Sequence, residues 1–206
     1  MLPKNKSLLI ISAPSGTGKT TVVRKLIQDN PNMVASISYT TRSKRDNEID
    51  GDDYRFVSIP VFEAMAAEHA FFEYAEVFGN LYGTPKKEVE ASIKEGKTVI
   101  LEIDWQGASQ VRKTEPNCLT LFLIPPSKEE LKKRLDKRGT DSAGEINLRF
   151  KEAINDIQHS INYDATFVNK DLKLTCDEII NFVKQYKGHK KPISEHELSI
   201  INSFKI

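Results

Sequence analysis

Residues Ser12 to Thr21 read Ser-Ala-Pro-Ser-Gly-Thr-Gly-Lys-Thr-Thr. Glycine at 16 and 18 lets the backbone curl until several N–H groups point at one anion. Lys19 then supplies a point charge that reaches outer phosphates, and the Thr20 hydroxyl is placed for Mg2+. A helix starting at Lys19 adds its positive dipole end to the same spot. The chemistry is the binding of a nucleoside triphosphate and its metal. The candidate loop is Ala13, Pro14, Ser15, Gly16, Thr17, Gly18, Lys19, Thr20 and Thr21, with Thr20 the candidate metal ligand. Ala13 departs from the G-x-x-x-x-G-K-[ST] pattern. Its methyl is harmless with β-region torsions and strained if the position needs positive φ.

Three further stretches offer groups for a second substrate. Ser38-Tyr39-Thr40-Thr41-Arg42-Ser43-Lys44-Arg45, followed by Glu48, Asp53 and Tyr54, places two arginines three residues apart before a tyrosine hydroxyl. That is a grip for a phosphate monoester. Phe72-Glu73-Tyr74 leads to Gly79-Asn80-Leu81-Tyr82-Gly83-Thr84, and Leu101-Glu102-Ile103-Asp104-Trp105-Gln106-Gly107 sets acidic residues at the end of a buried strand. Ligand sites of α/β sheets form at such ends. Taken singly, these features read as blandly as they read functionally. Arg42 and Arg45 fit a solvated surface, Glu73 an outward position on an alternating strand, and Glu102 with Asp104 a helix cap. Behind a phosphate loop and together, the functional reading prevails.

These residues need a scaffold. Strand-like runs recur at Leu8–Ile11, Thr98–Ile103, Leu119–Ile124 and Ala165–Val168. Helical patterns at Lys19–Gln28, Gln106–Lys113, Glu129–Lys137, Ile146–Ile161 and Cys176–Tyr186 alternate with them. The alternation predicts an α/β fold with a parallel sheet covered on both faces. Ser127 to Glu130 and Thr175 to Glu178 fit capping boxes, with Leu174 and Ile179 at staple positions. Residues 34–96 break the rhythm. Ala35–Tyr39, Tyr54–Ser58 and Phe71–Val77 predict short antiparallel strands, with a helix at Val61–His69, in a small α+β insertion. The Gly-punctuated, Arg-rich stretch 134–149 reads as a lid. The expected core is therefore 1–33, 97–133 and 150–188. In the remaining extension, 189–206, Ser194 and Glu197 form a capping box, which predicts a short helix docked through Leu198, Ile201 and Phe204.

Composition narrows the classes. Thirty Lys and Arg stand against 29 Asp and Glu, a formal net charge of +1, without the basic excess of a general nucleic-acid binder. Cys118 and Cys176 have no neighbours at metal-ligand spacing and read as buried thiols. No apolar stretch is long enough for a membrane-spanning helix, and no signal-peptide pattern is seen, so the expected setting is the cytoplasm, without a membrane partner. Homo-oligomerisation is left open.

The motifs S-G-T-G-K-T, S-x-T-T-R-x-x-R-x-x-E, G-x-D-Y-x-F, F-x-E-Y, G-N-x-Y-G-T, E-I-D-x-Q-G and R-L-x-x-R-G, with a later Arg149, follow one another in order. In them the chain resembles the guanylate kinases over about residues 7–187. The resemblance implies a P-loop nucleoside monophosphate kinase fold with a five-stranded parallel sheet. It also implies Mg2+-dependent phosphoryl transfer from ATP to GMP. On it, Arg42, Arg45, Tyr54 and Tyr82 hold the GMP phosphate, with Glu48 in the same acceptor set. Ser38, Glu73 and Thr84 read guanine, and Glu102 and Asp104 line the acceptor site. Lys19, Arg42, Arg134, Arg138 and Arg149 neutralise the phosphates and the group in transfer. Base chemistry agrees for Glu73: guanine presents N1–H and a 2-amino group side by side, and a carboxylate only accepts. Two alternatives are a non-catalytic guanylate-kinase-like binding module and a kinase for another nucleoside monophosphate. The presence of Gly16, Gly18, Lys19, Thr20 and the lid arginines argues against the first, and Glu73 with Thr40-Thr41-Arg42 against the second.

Overall fold

The computed structural model describes residues 7–46, 48–137 and 143–205. Strand β1 (Leu8–Ser12) leads into helix α1 (Lys19–Asp29), then β2 (Met33–Ala35), β3 (Tyr39–Thr40), β4 (Arg55–Phe56) and α2 (Ile59–Ala67). The hairpin β5 (Phe71–Val77) and β6 (Asn80–Pro85) precedes α3 (Lys86–Lys94), β7 (Thr98–Glu102) and α4 (Trp105–Thr114). The chain continues through β8 (Leu119–Ile124), α5 (Lys128–Asp136), α6 (Ala143–Gln158), β9 (Ala165–Val168), α7 (Leu172–Gln185) and α8 (Glu195–Ser203).

Among the described residues the strands form two sheets. One is parallel, in the order β2-β7-β1-β8-β9; the other runs β4-β3-β6-β5. All five residues of β1 are buried, because helices cover both faces of the parallel sheet. Alternation divides them between two cores. Leu8 and Ile10 face one that includes Val111, Leu131, Ile157 and Phe204; Leu9 and Ile11 face the other, with Val22, Leu26, Ile179 and Val183.

Three expectations are corrected. The fifth strand of the parallel sheet is β2, paired in parallel with β7 from Met33↔Thr98 to Ala35↔Ile100, so Ala35 does not open an antiparallel strand. Only Tyr39–Thr40 extends that segment into the second sheet, which is mixed: β3 and β4 run parallel, while β6 is antiparallel to β3 and β5. Helix α7 begins a turn before the predicted Thr175 box. The Asp171 carboxylate caps it by accepting from Leu174 N at 2.9 Å. Thr175 is buried inside the helix and donates to Val168 O instead, while Leu174 is exposed.

Helix α8 carries the full capping box of Ser194 and Glu197. Ile200, Ile201 and Phe204 are its buried apolar residues, and Leu198 is exposed. At about 100° per residue, Leu198 lies about 120° around the helix from Phe204, too far to share its face.

Candidate active site

The phosphate loop leaves the carboxyl end of β1. Gly16 and Gly18 have φ of 86° and 93°, and Ala13 is not in the positive-φ region, so its methyl costs nothing. Close packing enforces the loop as well. A Cβ on Gly16 would stand 2.9 Å from Leu135 Cδ2, and one on Gly18 2.8 Å from Asn169 Nδ2. Thr17 N donates to Pro14 O at 3.2 Å, closing the turn. The Thr17 carbonyl accepts from Asn169 Nδ2 at 2.7 Å and from Arg134 Nη1 at 3.1 Å. Arg134 also donates to Asn169 O and, through Nε, to Glu130. Its guanidinium therefore braces the loop from α5. Pro14 is buried, Ser15 half-buried and Thr21 exposed at the start of α1.

The cation and hydroxyl of the loop face β7. Lys19 Nζ donates to Ile103 O at 3.3 Å, and the Thr20 hydroxyl donates to Glu102 Oε1. Glu102 is the last residue of β7, in register with Ile11 of β1. Two residues on, Asp104 caps α4, accepting from Gly107 N at 2.8 Å. Its carbonyl accepts from Ser12 Oγ at 3.3 Å. Among the described residues no group of three or more His, Cys, Asp or Glu is placed to hold a metal. The donor set is instead one exposed hydroxyl beside a carboxylate. Such hard oxygens suit Mg2+, which keeps waters and shares substrate phosphates.

The second sheet supplies the opposite wall. Arg42 makes a two-pronged pair with Glu48, at 3.0 and 2.8 Å, and donates to Ser43 O. Its guanidinium lies 5.5 Å from the Tyr54 ring centre, and the Tyr54 and Tyr82 rings meet edge to face at 5.8 Å. Arg45 N donates to Glu48 Oε2 at 2.9 Å, and its guanidinium lies 3.7 Å from Oε1. Burial opposes charge on Glu48, but Arg42 and Arg45 outweigh it and hold its carboxyl below the usual range. Glu48 thus engages both arginines here. Burial, then the charge of Glu102, pushes the Tyr54 phenol well up. Ser38 is half-buried, its carbonyl accepting from Arg55 N.

Glu73 points inward. It pairs with Thr84 across β5 and β6, beside a register shift between Phe71 and Glu73, and is 5% exposed. Thr84 Oγ1 donates to its Oε1 at 2.5 Å. Burial, and next among the raising influences the charge of Asp104, lifts its carboxyl to about 7.

Arg149 of α6 joins the halves: its Nη1 lies 3.5 Å from Ser15 Oγ, and its guanidinium 5.0 Å from the Phe78 ring centre. Phe78 holds φ of 52° in the β5–β6 turn. A second link is the ion pair of Arg24, on α1, with Asp53. Arg138 falls outside the described residues. Sequence reasoning missed Asn169, Phe78 and Asp156, and gave Gly107, the last residue of the Leu101–Gly107 stretch, no role of its own. Asn169 follows strand β9 at its carboxyl end, a signal that was available. Asp156 is pushed up to about 6 by burial and then by Asp104.

A phosphate loop at the carboxyl ends of a five-stranded parallel sheet, facing a separate arginine-bearing sheet, defines a P-loop nucleoside monophosphate kinase fold. The family model described as guanylate kinase matches residues 5–186. A guanylate kinase of Hydrogenovibrio crunogenus is 45% identical over 197 residues, covering 92% of this chain and 96% of that protein. One from Shewanella denitrificans is 46% identical over 178 residues, covering 86% of each. The crystal structure of guanylate kinase from Anaplasma phagocytophilum superposes with a TM-score of 0.75 at 35% identity, covering 92% of this chain and 91% of that one. The chain belongs to the guanylate kinase family.

Proposed function

We propose that the protein transfers a phosphoryl group directly from ATP to GMP, and to dGMP, giving ADP and GDP. The observation that carries this reading is the pairing of the phosphate loop with the inward, Thr84-held carboxylate of Glu73. The loop N–H groups and Lys19 take the ATP phosphates, Lys19 leaving its Ile103 carbonyl to do so. Thr20, with Glu102 beside it, holds Mg2+, which when bound shields phosphate charge. Arg42 and Arg45, pre-oriented by Glu48, grip the acceptor phosphate with the Tyr54 and Tyr82 hydroxyls. Glu73 accepts from guanine N1–H and its 2-amino group, and Ser38 and Thr84 complete the base site. Arg149, together with Arg134 and Arg138, meets charge developing on the transferred group. Catalysis of this kind is positioning plus charge stabilisation, with no covalent enzyme intermediate. The division into a core, a 34–96 acceptor insertion, a 134–149 lid and a 189–206 extension is part of the proposal. Closure of insertion and lid excludes water, the competing acceptor. The cytoplasmic setting expected from the sequence is kept; no helix among the described residues is long and apolar enough to cross a membrane.

Sites built to hydrogen-bond a substrate group reject analogues lacking it by roughly 10⁴-fold. A coupled ADP-release assay across GMP, dGMP, AMP, CMP and UMP, with and without Mg2+, tests the reading. Mg2+-dependent turnover confined to the guanine nucleotides is expected. Preference for another base, or no turnover, overturns it.

A further inference from the structure

Gly107 lies in the first turn of α4, where its N–H donates to the capping Asp104. Its φ is not in the positive region, so its backbone does not call for glycine. Helix propensity favours alanine there by about 1 kcal/mol. The space does call for glycine. A Cβ would stand 2.9 Å from Glu73 Cδ and closer still to Glu73 Oε2, while its other near neighbour, Ile103 Cβ, lies at an ordinary 3.4 Å. The atoms that exclude a side chain are thus those of one carboxylate. That carboxylate is the end of a flexible side chain. An added methyl would push it aside at little cost to the fold, and would loosen the 2.5 Å bond from Thr84.

We propose that Gly107 is a positioning residue for base choice: the missing side chain lets Glu73 stand against the first turn of α4, between that helix and Thr84. The inference rests on the reading of guanine by Glu73. Buried and 5% exposed, Glu73 has Thr84 on one side and Gly107 on the other. Its two oxygens are thereby divided, Oε1 to Thr84 and Oε2 toward the helix. A shift of one alters what both present to the two adjacent donors of guanine. IMP, which keeps N1–H and lacks the 2-amino group, is the probe of that two-donor reading.

The test is steady-state kinetics of the full chain, with thermal unfolding as a control. Hydrogen bonds to a charged group are worth enough that Gly107→Ala should raise KM for GMP about tenfold or more. The preference for GMP over IMP should shrink with it, while KM for ATP and the thermal midpoint hold. In a Glu73→Ala background no carboxylate remains to be displaced, so adding Gly107→Ala should change GMP kinetics less than about twofold. An unchanged GMP-to-IMP preference in Gly107→Ala, or an equal loss in the Glu73→Ala background, overturns the proposal. If Gly107→Ala unfolds the chain, recovery of the thermal midpoint on adding Glu73→Ala still assigns the clash to Glu73, and failure to recover rejects it. Glu73→Gln separates the underlying reading: if that variant keeps its GMP-to-IMP preference, guanine reading by Glu73 fails, whatever Gly107 does.

Discussion

On the wall formed by the parallel sheet, the phosphate loop offers its backbone N–H groups and Lys19, its shape set by the torsions of Gly16 and Gly18 and by Asn169 and Arg134 behind Thr17. On the opposite wall the polar groups are side chains that hold one another: Arg42 and Arg45 on Glu48, Glu73 on Thr84. The first wall is rigid because helices bury its sheet from both faces. The second pairs the hairpin of β5 and β6 with two strands of only two residues, and charge pairs tie the loop after β3. Backbone presentation gives a site blind to the base, whereas side-chain networks can be specific and can titrate.

That contrast can be broken by substitution. Lys19→Met removes the charge that the phosphate loop itself carries. Turnover should fall about 10²- to 10³-fold, as for loss of a single charge-stabilising donor, with the thermal midpoint retained. Retained turnover would mean that the loop backbone alone suffices. Next, Glu48→Ala leaves Arg42 and Arg45 without their carboxylate. KM for GMP should rise about tenfold, the value of a charge-assisted bond, while KM for ATP is unmoved. A fall in KM for GMP would instead make Glu48 a competitor of substrate.

The acceptor wall should also respond to pH through Glu73, whose carboxyl sits near 7. With a folded value above the unfolded 4.5, the folded chain binds more protons across that window. Stability therefore falls as pH rises from about 4.5 to 7, and the penalty is complete above it. Glu73→Gln should accordingly raise the thermal midpoint at pH 8 and change it little at pH 4. If guanine is read by ionised Glu73, as proposed, KM for GMP should drop by about tenfold between pH 6 and 8. That drop should be steeper than in Glu73→Gln, where only the GMP phosphate titrates. Equal slopes would remove Glu73 from the base site. Smallest is Arg24→Ala, which cuts an exposed tie to Asp53. It should cost no more than about 1 kcal/mol in denaturant unfolding and vanish in high salt.

Four of the main strands and the phosphate loop were legible because their signals are contiguous: apolar runs, glycines at fixed offsets, a lysine and a threonine. Strand β2 was not, since three residues carry too little pattern and only pairing with β7 identifies them. The start of α7 was read at Thr175, but Thr175 is buried and the Asp171 carboxylate caps the helix a turn earlier. The position of Asn169 after β9 was legible, but its bond to Thr17, 152 residues away, needed the fold. Arg134 and Glu48 were expected in the substrate sites, and the structure gives each a partner the sequence did not announce: Arg134 braces the loop and Glu48 holds two arginines.

The sequence by itself determined the order of the parallel sheet's long strands along the chain, the loop that curls at Gly16 and Gly18, and the residue types available to a phosphate and a purine. These depend on neighbours within a few positions. Which way Glu73 faces, and that Gly107 leaves it room, were decided only by the tertiary structure. Strand alternation allows a carboxylate on either side, and the choice is made where β5, β6 and α4 pack together.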